Sequence, residues 1–253
     1  MRVDLKLSPS PQLSPIDRRS ALALARGLRC RAHGHHAAAA RWLRAAAHRG
    51  NAAAQYHLAA IYRHGQGVQQ DWDQALHWYA LAATQGYPRA QASLGLLYKT
   101  GQGVARDEVQ AARLLGAAAA QGHAHAQYHL GDLHERGAGV GLDLRAAAHW
   151  FVHAAQQGCG PAQYRLGLLY ESGRGVPGDL ALAADWLRRA AEQGCHQAQL
   201  RLALLLRHAQ GDADDQAAAW LRRAVDYGDV SAQPGADAAL QRPASKVRSR
   251  SCT

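Results

Sequence analysis

The sequence predicts an all-α protein, an α/α superhelical solenoid of about six helix pairs, and three observations carry that prediction. Gly-x-Gly-Val occurs at Gly65–Val68, Gly101–Val104, Gly137–Val140 and Gly173–Val176, each 36 residues after the last. The same phase repeats an Asp (Asp71, Asp107, Asp143, Asp179), an Ala (Ala75, Ala111, Ala147, Ala183) and a closing Gly (Gly86, Gly122, Gly158, Gly194). More than fifty of the 253 residues are Ala while aromatics make up 6%, a composition suited to closely packed helices rather than sheets.

Each unit reads as two helices. The first starts near Ala54, Ala90, Ala126 or Ala162 and carries apolar residues three and four apart, such as Leu58, Ile61 and Tyr62, or Leu94, Leu97 and Tyr98. The Gly pair then stops it, because Gly takes positive φ without strain. The Val in this polar loop is expected to tuck under the turn as an anchor. The second helix starts at the Asp, whose carboxylate accepts from the free amides of the first turn. Gln74 and Gln110, three residues after Asp71 and Asp107, add a capping-box pattern. Ala75, Trp78, Tyr79, Ala82 and Ala83 follow, with Gly86 as the C′ stop. Trp42, Trp78, Trp150, Trp186 and Trp220 share one phase, with Leu114 as the substitute, so these five Trp are expected in the core.

The ends are degenerate copies, as a stacked array requires of its caps. Ser20 to Ala32 can supply a first helix for the second helix marked by Ala39, Trp42, Ala46, Ala47 and Gly50. Ala198, Leu202 and Leu205 mark a last first helix, and Ala217, Trp220, Ala224 and Gly228 a last second helix, for about twelve helices in all. The expected organisation is a disordered leader at 1–17, a capping pair at 18–51, four repeats at 52–87, 88–123, 124–159 and 160–195, a capping repeat at 196–228 and a disordered basic tail at 229–253.

The formal charge of +10 invites a nucleic-acid reading, but its distribution argues against one. Residues 1–34 carry seven basic and two acidic side chains, and 229–253 carry four and two, so 35–228 keep only 18 against 15. The middle has no basic stripe with interleaved aromatics. The apolar stretch Ala21 to Leu28 is broken by Arg26 and Gly27, which is not the unbroken core of a secretory signal, and a cytoplasmic protein is expected.

Several chemical patterns are explained by the repeat. Lys99-Thr100-Gly101 matches a triplet of penicillin-binding enzymes but occupies the phase of Arg63-His64-Gly65 and Glu171-Ser172-Gly173, and no Ser-x-x-Lys accompanies it. Gly173 to Gly178 formally fits a dinucleotide-binding loop, yet a helix precedes it where a strand is needed. His125 and His129, and His149 and His153, lie four apart and could hold zinc or nickel if a third ligand converged. Sister positions hold Arg89, Pro161, Asp185 and Arg189, so solvated surface is expected, as it is for His33, His35 and His36. Cys159 and Cys195 stand one repeat apart, about 10 Å by helix packing, too far for a disulfide. No cofactor, metal or catalytic residue is assigned.

Ala126-Gln127-x-x-Leu130-Gly131, then Gly137-x-Gly139-Val140-x-x-Asp143, then Trp150-x-x-x-Ala154-Ala155-x-x-Gly158, resembles the Sel-1-like repeat (SLR) family, relatives of the tetratricopeptide repeat. The resemblance covers roughly residues 20–228. It implies a non-enzymatic, bacterial-type scaffold that binds a protein or peptide segment in a concave groove lined by the first helices. Carried over by phase, the groove positions are Tyr56 and Arg63, Ala92 and Lys99, Tyr128 and Glu135, Tyr164 and Glu171, and Leu200 and Arg207. Departures are Ala59 and Ala203 for the usual Gly, and His134 for Tyr, which is expected to open or hydrate the third repeat. A binder or weak hydrolase of cell-wall fragments, and anion or nucleic-acid binding through the basic termini, are the alternative expectations.

Overall fold

The computed structural model describes residues 15–208 and 219–220. Its helices are α1 (Pro15–Ala32), α2 (His36–Ala47), α3 (Ala52–His64), α4 (Trp72–Thr84), α5 (Pro88–Thr100), α6 (Glu108–Ala120), α7 (Ala124–Arg136), α8 (Leu144–Gln156), α9 (Gly160–Ser172), α10 (Leu180–Glu192) and α11 (His196–His208). The described residues contain no strand. They belong to two compact units, Met1–His123 and Ala124–Thr253. Within each unit the fold is an α-solenoid: a first helix packs on the second helix of its own pair, which packs in turn on the next first helix.

The described helices number eleven against the twelve expected. Ala217, Ala224 and Gly228, which were to mark the twelfth, lie outside the described residues. Trp220 is helical and packs against the core of the second unit. At the other end α1 begins at Pro15, inside the expected leader and five residues before Ser20. A proline fits a first helical turn, since its missing amide has no intrahelical partner there. Residues 1–14 and the expected tail at 229–253 lie outside the described residues.

The loops show why the glycines recur. Gly65, Gly101 and Gly173 are left-handed C-caps, φ +64°, +72° and +69°, whose amides donate to the carbonyls of Ile61, Leu97 and Leu169. The second glycine has another duty besides its positive φ. A Cβ on Gly67 would strike the backbone of His36 and Ala37, one on Gly103 the ring of Trp72, and one on Gly175 the backbone of Leu144. Each of these loops therefore seats, backbone against neighbour, on the first turn of the preceding second helix. Val68, Val104 and Val176 are half-buried against the adjoining cores, the anchoring role expected of them.

The Asp caps form as expected. Asp71 accepts from the Gln74 amide at 2.9 Å, Asp107 from Val109 and Gln110, Asp143 from Arg145 and Ala146, and Asp179 from Leu182. The capping box does not. The Asp amides donate instead to carbonyls in the last turn of the first helix, from Asp71 to Tyr62, Asp107 to Tyr98, Asp143 to His134 and Asp179 to Tyr170. That leaves Gln74 to accept from the Trp78 indole at 3.2 Å and Gln110 from Arg113 at 3.1 Å.

The expected Trp core needs correction. Trp78 is buried, but Trp42 is 38% exposed beneath the Arg26 guanidinium, and Trp150, Trp186 and Trp220 are half-buried. The residue after each one fills the helix pair. Leu43, Tyr79, Leu115, Phe151 and Leu187 are each at most 2% exposed. They lie four residues beyond the buried Ala that starts each stripe (Ala39, Ala75, Ala111, Ala147, Ala183), on the line facing the partner helix. The Trp position is a helical step of about 100° to one side and covers the seam. Opposite the filler, the first helix carries a small residue: a Cβ on Gly95, Gly131 or Gly167 would come within 2.9 Å of Leu115, Phe151 or Leu187. Ala59 and Ala203 occupy the same place fully buried, as mild a departure as expected.

A buried glutamine joins successive pairs. Gln55, Gln91, Gln163 and Gln199 donate to the carbonyls of Ala47, Ala83, Ala155 and Ala191, near the end of the preceding second helix. The side-chain oxygens at this position accept in turn, in Gln127 as well: Gln85 donates to Gln55, Gln121 to Gln91, Gln157 to Gln127 and Gln193 to Gln163, at 2.7–2.8 Å. The packed seams therefore carry paired polar groups, as burial of an amide demands.

Candidate functional site

Each unit presents a face made by its first helices. In the first unit Tyr56 is half-buried, its ring centroid 5.8 Å from Tyr79 and 5.5 Å from Tyr87. Arg63, about two turns further along α3, donates to Gln102 at 3.3 Å. Burial raises the Tyr79 pKa against the opposing pull of Arg63, so the hydroxyl stays protonated at neutral pH. Lys99 is half-buried at the equivalent place on α5. Ala92 is 4% exposed, so the structure removes it from the accessible face: it packs inside, where Tyr56, Tyr128 and Tyr164 stand half out.

In the second unit Tyr128 packs with its centroid 6.0 Å from Phe151, and Tyr164 joins the next core. Burial raises both phenol pKa values. Glu135 accepts from Arg165 at 2.6 Å and Glu171 from Arg201 at 2.8 Å, each pair spanning adjacent first helices. Asp132 lies 3.9 Å from Arg165 and 3.7 Å from Arg136. The acidic groove positions thus have basic partners that sequence reasoning missed. The signal was present: Arg165 and Arg201 share one phase, thirty residues after each Glu. Leu200 and Arg207 are half-buried on α11.

A second omission is Arg31. Gly27, Ala59 and Gly95 are the small residues at successive helix crossings, and Arg31, Arg63 and Lys99 each lie four residues beyond one. The α1–α2 connection is four residues shorter than its sisters, which shifts Arg31 out of the 36-residue count. Arg31 Nη1 sits 3.2 Å from Nδ1 of buried His57. A guanidinium only donates, so Nδ1 accepts and the neutral ring carries its proton on Nε2. Burial first, then the charges of Arg31 and Arg89, lower the His57 pKa to about 4. Unfolded His57 titrates near 6.5, so in the intervening range the unfolded chain binds the extra proton, and stability falls as pH falls. At pH 5 the wild type should lose roughly 2–4 °C of melting temperature, relative to pH 7, beyond the loss of a His57→Gln variant. Equal losses in the two proteins would show that His57 does not titrate differently on folding.

His149 and His153 are exposed with rings 4.6 Å apart, edge to face, while His129 is half-buried. Among the described residues no group of three or more His, Cys, Asp or Glu comes together to hold a metal ion. Cys30, Cys159 and Cys195 are free thiols, and burial raises the Cys159 pKa. His134, standing in for Tyr, leaves its Nδ1 buried without a hydrogen-bond partner. No described helix is long and apolar enough to cross a membrane.

The Sel1 repeat family model matches residues 36–51, 52–87, 88–123, 124–159, 160–195 and 196–229. The chain is similar to a protective antigen of uropathogenic Escherichia coli displaying an SLR fold, at 33% identity and TM-score 0.78 over 83% of this chain. It spans 46% of that protein's length. It is also similar to a Sel1 repeat protein from Oxalobacter formigenes, at 32% identity and TM-score 0.76, over 83% of this chain and 87% of the other. No curated protein matches it.

Proposed function

This chain belongs to the Sel1 repeat family, whose members are generally protein-interaction scaffolds, and from that premise we propose that it holds a protein or peptide segment along its first-helix faces. The observation that carries this reading is the equivalence of those faces. Tyr56, Tyr128 and Tyr164 stand half-buried at one register, each followed seven residues later by a charged side chain, Arg63, Glu135 or Glu171. Tyrosine offers contact area at low entropic cost, and the charged ends supply selectivity. The family's fold is typically a non-catalytic scaffold, which supports a binding role.

The test is an affinity pull-down from native cell lysate, comparing wild type with Tyr128→Ala plus Tyr164→Ala. Because both rings pack against cores, circular dichroism melts must first show the variant folded. A second variant, Arg165→Glu plus Arg201→Glu, alters the same face without emptying a core. A partner held by wild type and lost by both variants is the expected result. A partner held equally by all three proteins would place binding elsewhere and overturn the assignment.

A further inference from the structure

Charge is not spread evenly over the first helices. Helices α1, α3 and α5 of the first unit carry eight Arg or Lys and a single acidic residue, Asp17. Helices α3 and α5 contain no Asp or Glu at all. Helices α7, α9 and α11 of the second unit carry four Arg against three acids, with Glu135 and Glu171 paired to Arg165 and Arg201. The two faces therefore differ in what they ask of a ligand.

The cationic face has internal organisation. Arg31, Arg63 and Lys99 share one register on α1, α3 and α5, each four residues beyond the small residue at its helix crossing. Arg63 is held by a neutral partner, the Gln102 amide oxygen, which orients the guanidinium without cancelling its charge. Arg31 is fixed in the same way by the neutral ring of His57, and Arg89 at the start of α5 adds its charge to that site. Beside these groups lies the tilted Tyr56–Tyr87 pair, an amphipathic shelf.

We infer that the first-helix face of this unit docks an acidic protein segment, its carboxylates on Arg31 and Arg63, with Arg89 and Lys99 flanking, and an apolar side chain on the Tyr56–Tyr87 shelf. This rests on the scaffold reading above and adds the partner's chemistry. Guanidinium groups bind carboxylates in bidentate fashion, which fixes the register of an extended chain. The occupant is not the chain's own C-terminal stretch, since residues 229–253 hold four basic and two acidic side chains.

The experiment is fluorescence polarisation on the full chain with three probes. They are a fluorescein-labelled peptide of Glu and Leu, its counterpart with Gln for every Glu, and a single-stranded oligonucleotide of matching charge. Wild type should bind the Glu peptide at least about tenfold more tightly than the Gln peptide, with affinity falling steeply as salt rises. Arg31→Gln plus Arg63→Gln should weaken the Glu peptide by about tenfold, whereas Arg113→Gln plus Arg188→Gln, on the second helices α6 and α10, leaves it unchanged. Melting curves accompany each variant, and Arg63→Gln by itself replaces the double variant if that one is unfolded.

Equal affinity for the Glu and Gln peptides, or an undiminished Glu affinity in the Arg31/Arg63 variant, overturns the inference. Tighter oligonucleotide binding with the same dependence on Arg31 and Arg63 overturns it in favour of a nucleic-acid site. The scaffold reading is tested separately: a lysate partner lost by the second-unit variants, together with an indifferent Glu peptide, leaves that reading standing and removes this one.

Discussion

Phe151→Ala should lower stability by about 3–5 kcal/mol, read as a shift of the denaturant midpoint, because the ring is fully buried and its removal leaves a cavity between α7 and α8. The neighbouring Trp150→Ala should cost about 1–2 kcal/mol, since that indole lies half in solvent against His149 and His153. The order of the two losses matters more than either value. Gly131 allows α7 to approach so closely that a Cβ there would lie 2.7 Å from the Phe151 ring and 3.2 Å from the Ala147 carbonyl, so α7 has no larger side chain at the crossing to fill the space. If Trp150→Ala proves the more damaging, the helix pair is centred on the Trp and the assignment of Phe151 as filler is wrong.

Gly175→Ala should cost about 2–4 kcal/mol by the same measurement, from two separate sources. An L-residue at φ +75° loses about 1 kcal/mol relative to Gly. The added methyl would also land on the carbonyl of Leu144, a backbone atom at the start of α8 that cannot swing aside as a side chain could. Gly158→Ala is the control: its φ of +83° carries the first cost, and no atom stands within 4 Å of its Cβ position. It should lose only about 1 kcal/mol. Similar losses at the two sites would mean that the loop does not seat on α8.

Much of this was legible in the sequence because one period of 36 residues fixes phase, and phase assigns Gly, Asp, Ala and the loop Val to their places without any contact being known. What phase does not carry is depth. Trp150 and Phe151 are adjacent apolar residues on one helix, and the helical step between them, not their hydrophobicity, decides which points at α7. Phase also fails where spacing changes: the four-residue contraction between α1 and α2 hid Arg31 from its equivalents Arg63 and Lys99. Ala92 was assigned to the surface by its register with Tyr56, yet a methyl group at that position does not reach past the surrounding side chains. Pairing across repeats, as between Glu135 and Arg165, requires knowing how far one helix lies from the next. Gly67, Gly103 and Gly175 read as turn residues, which was half of their reason; the neighbour each touches is in another repeat.

The glutamine bonds at the seams bear on how such a chain changes over evolutionary time. The same donor, carbonyl and accepting amide recur from one junction to the next, with the partners at fixed separations of eight and thirty residues. A duplicated or deleted 36-residue segment would therefore rejoin its neighbours through an identical set of contacts, with no junction to be invented. The length of the array can vary by whole modules while the glutamine bonds are restored at each new seam.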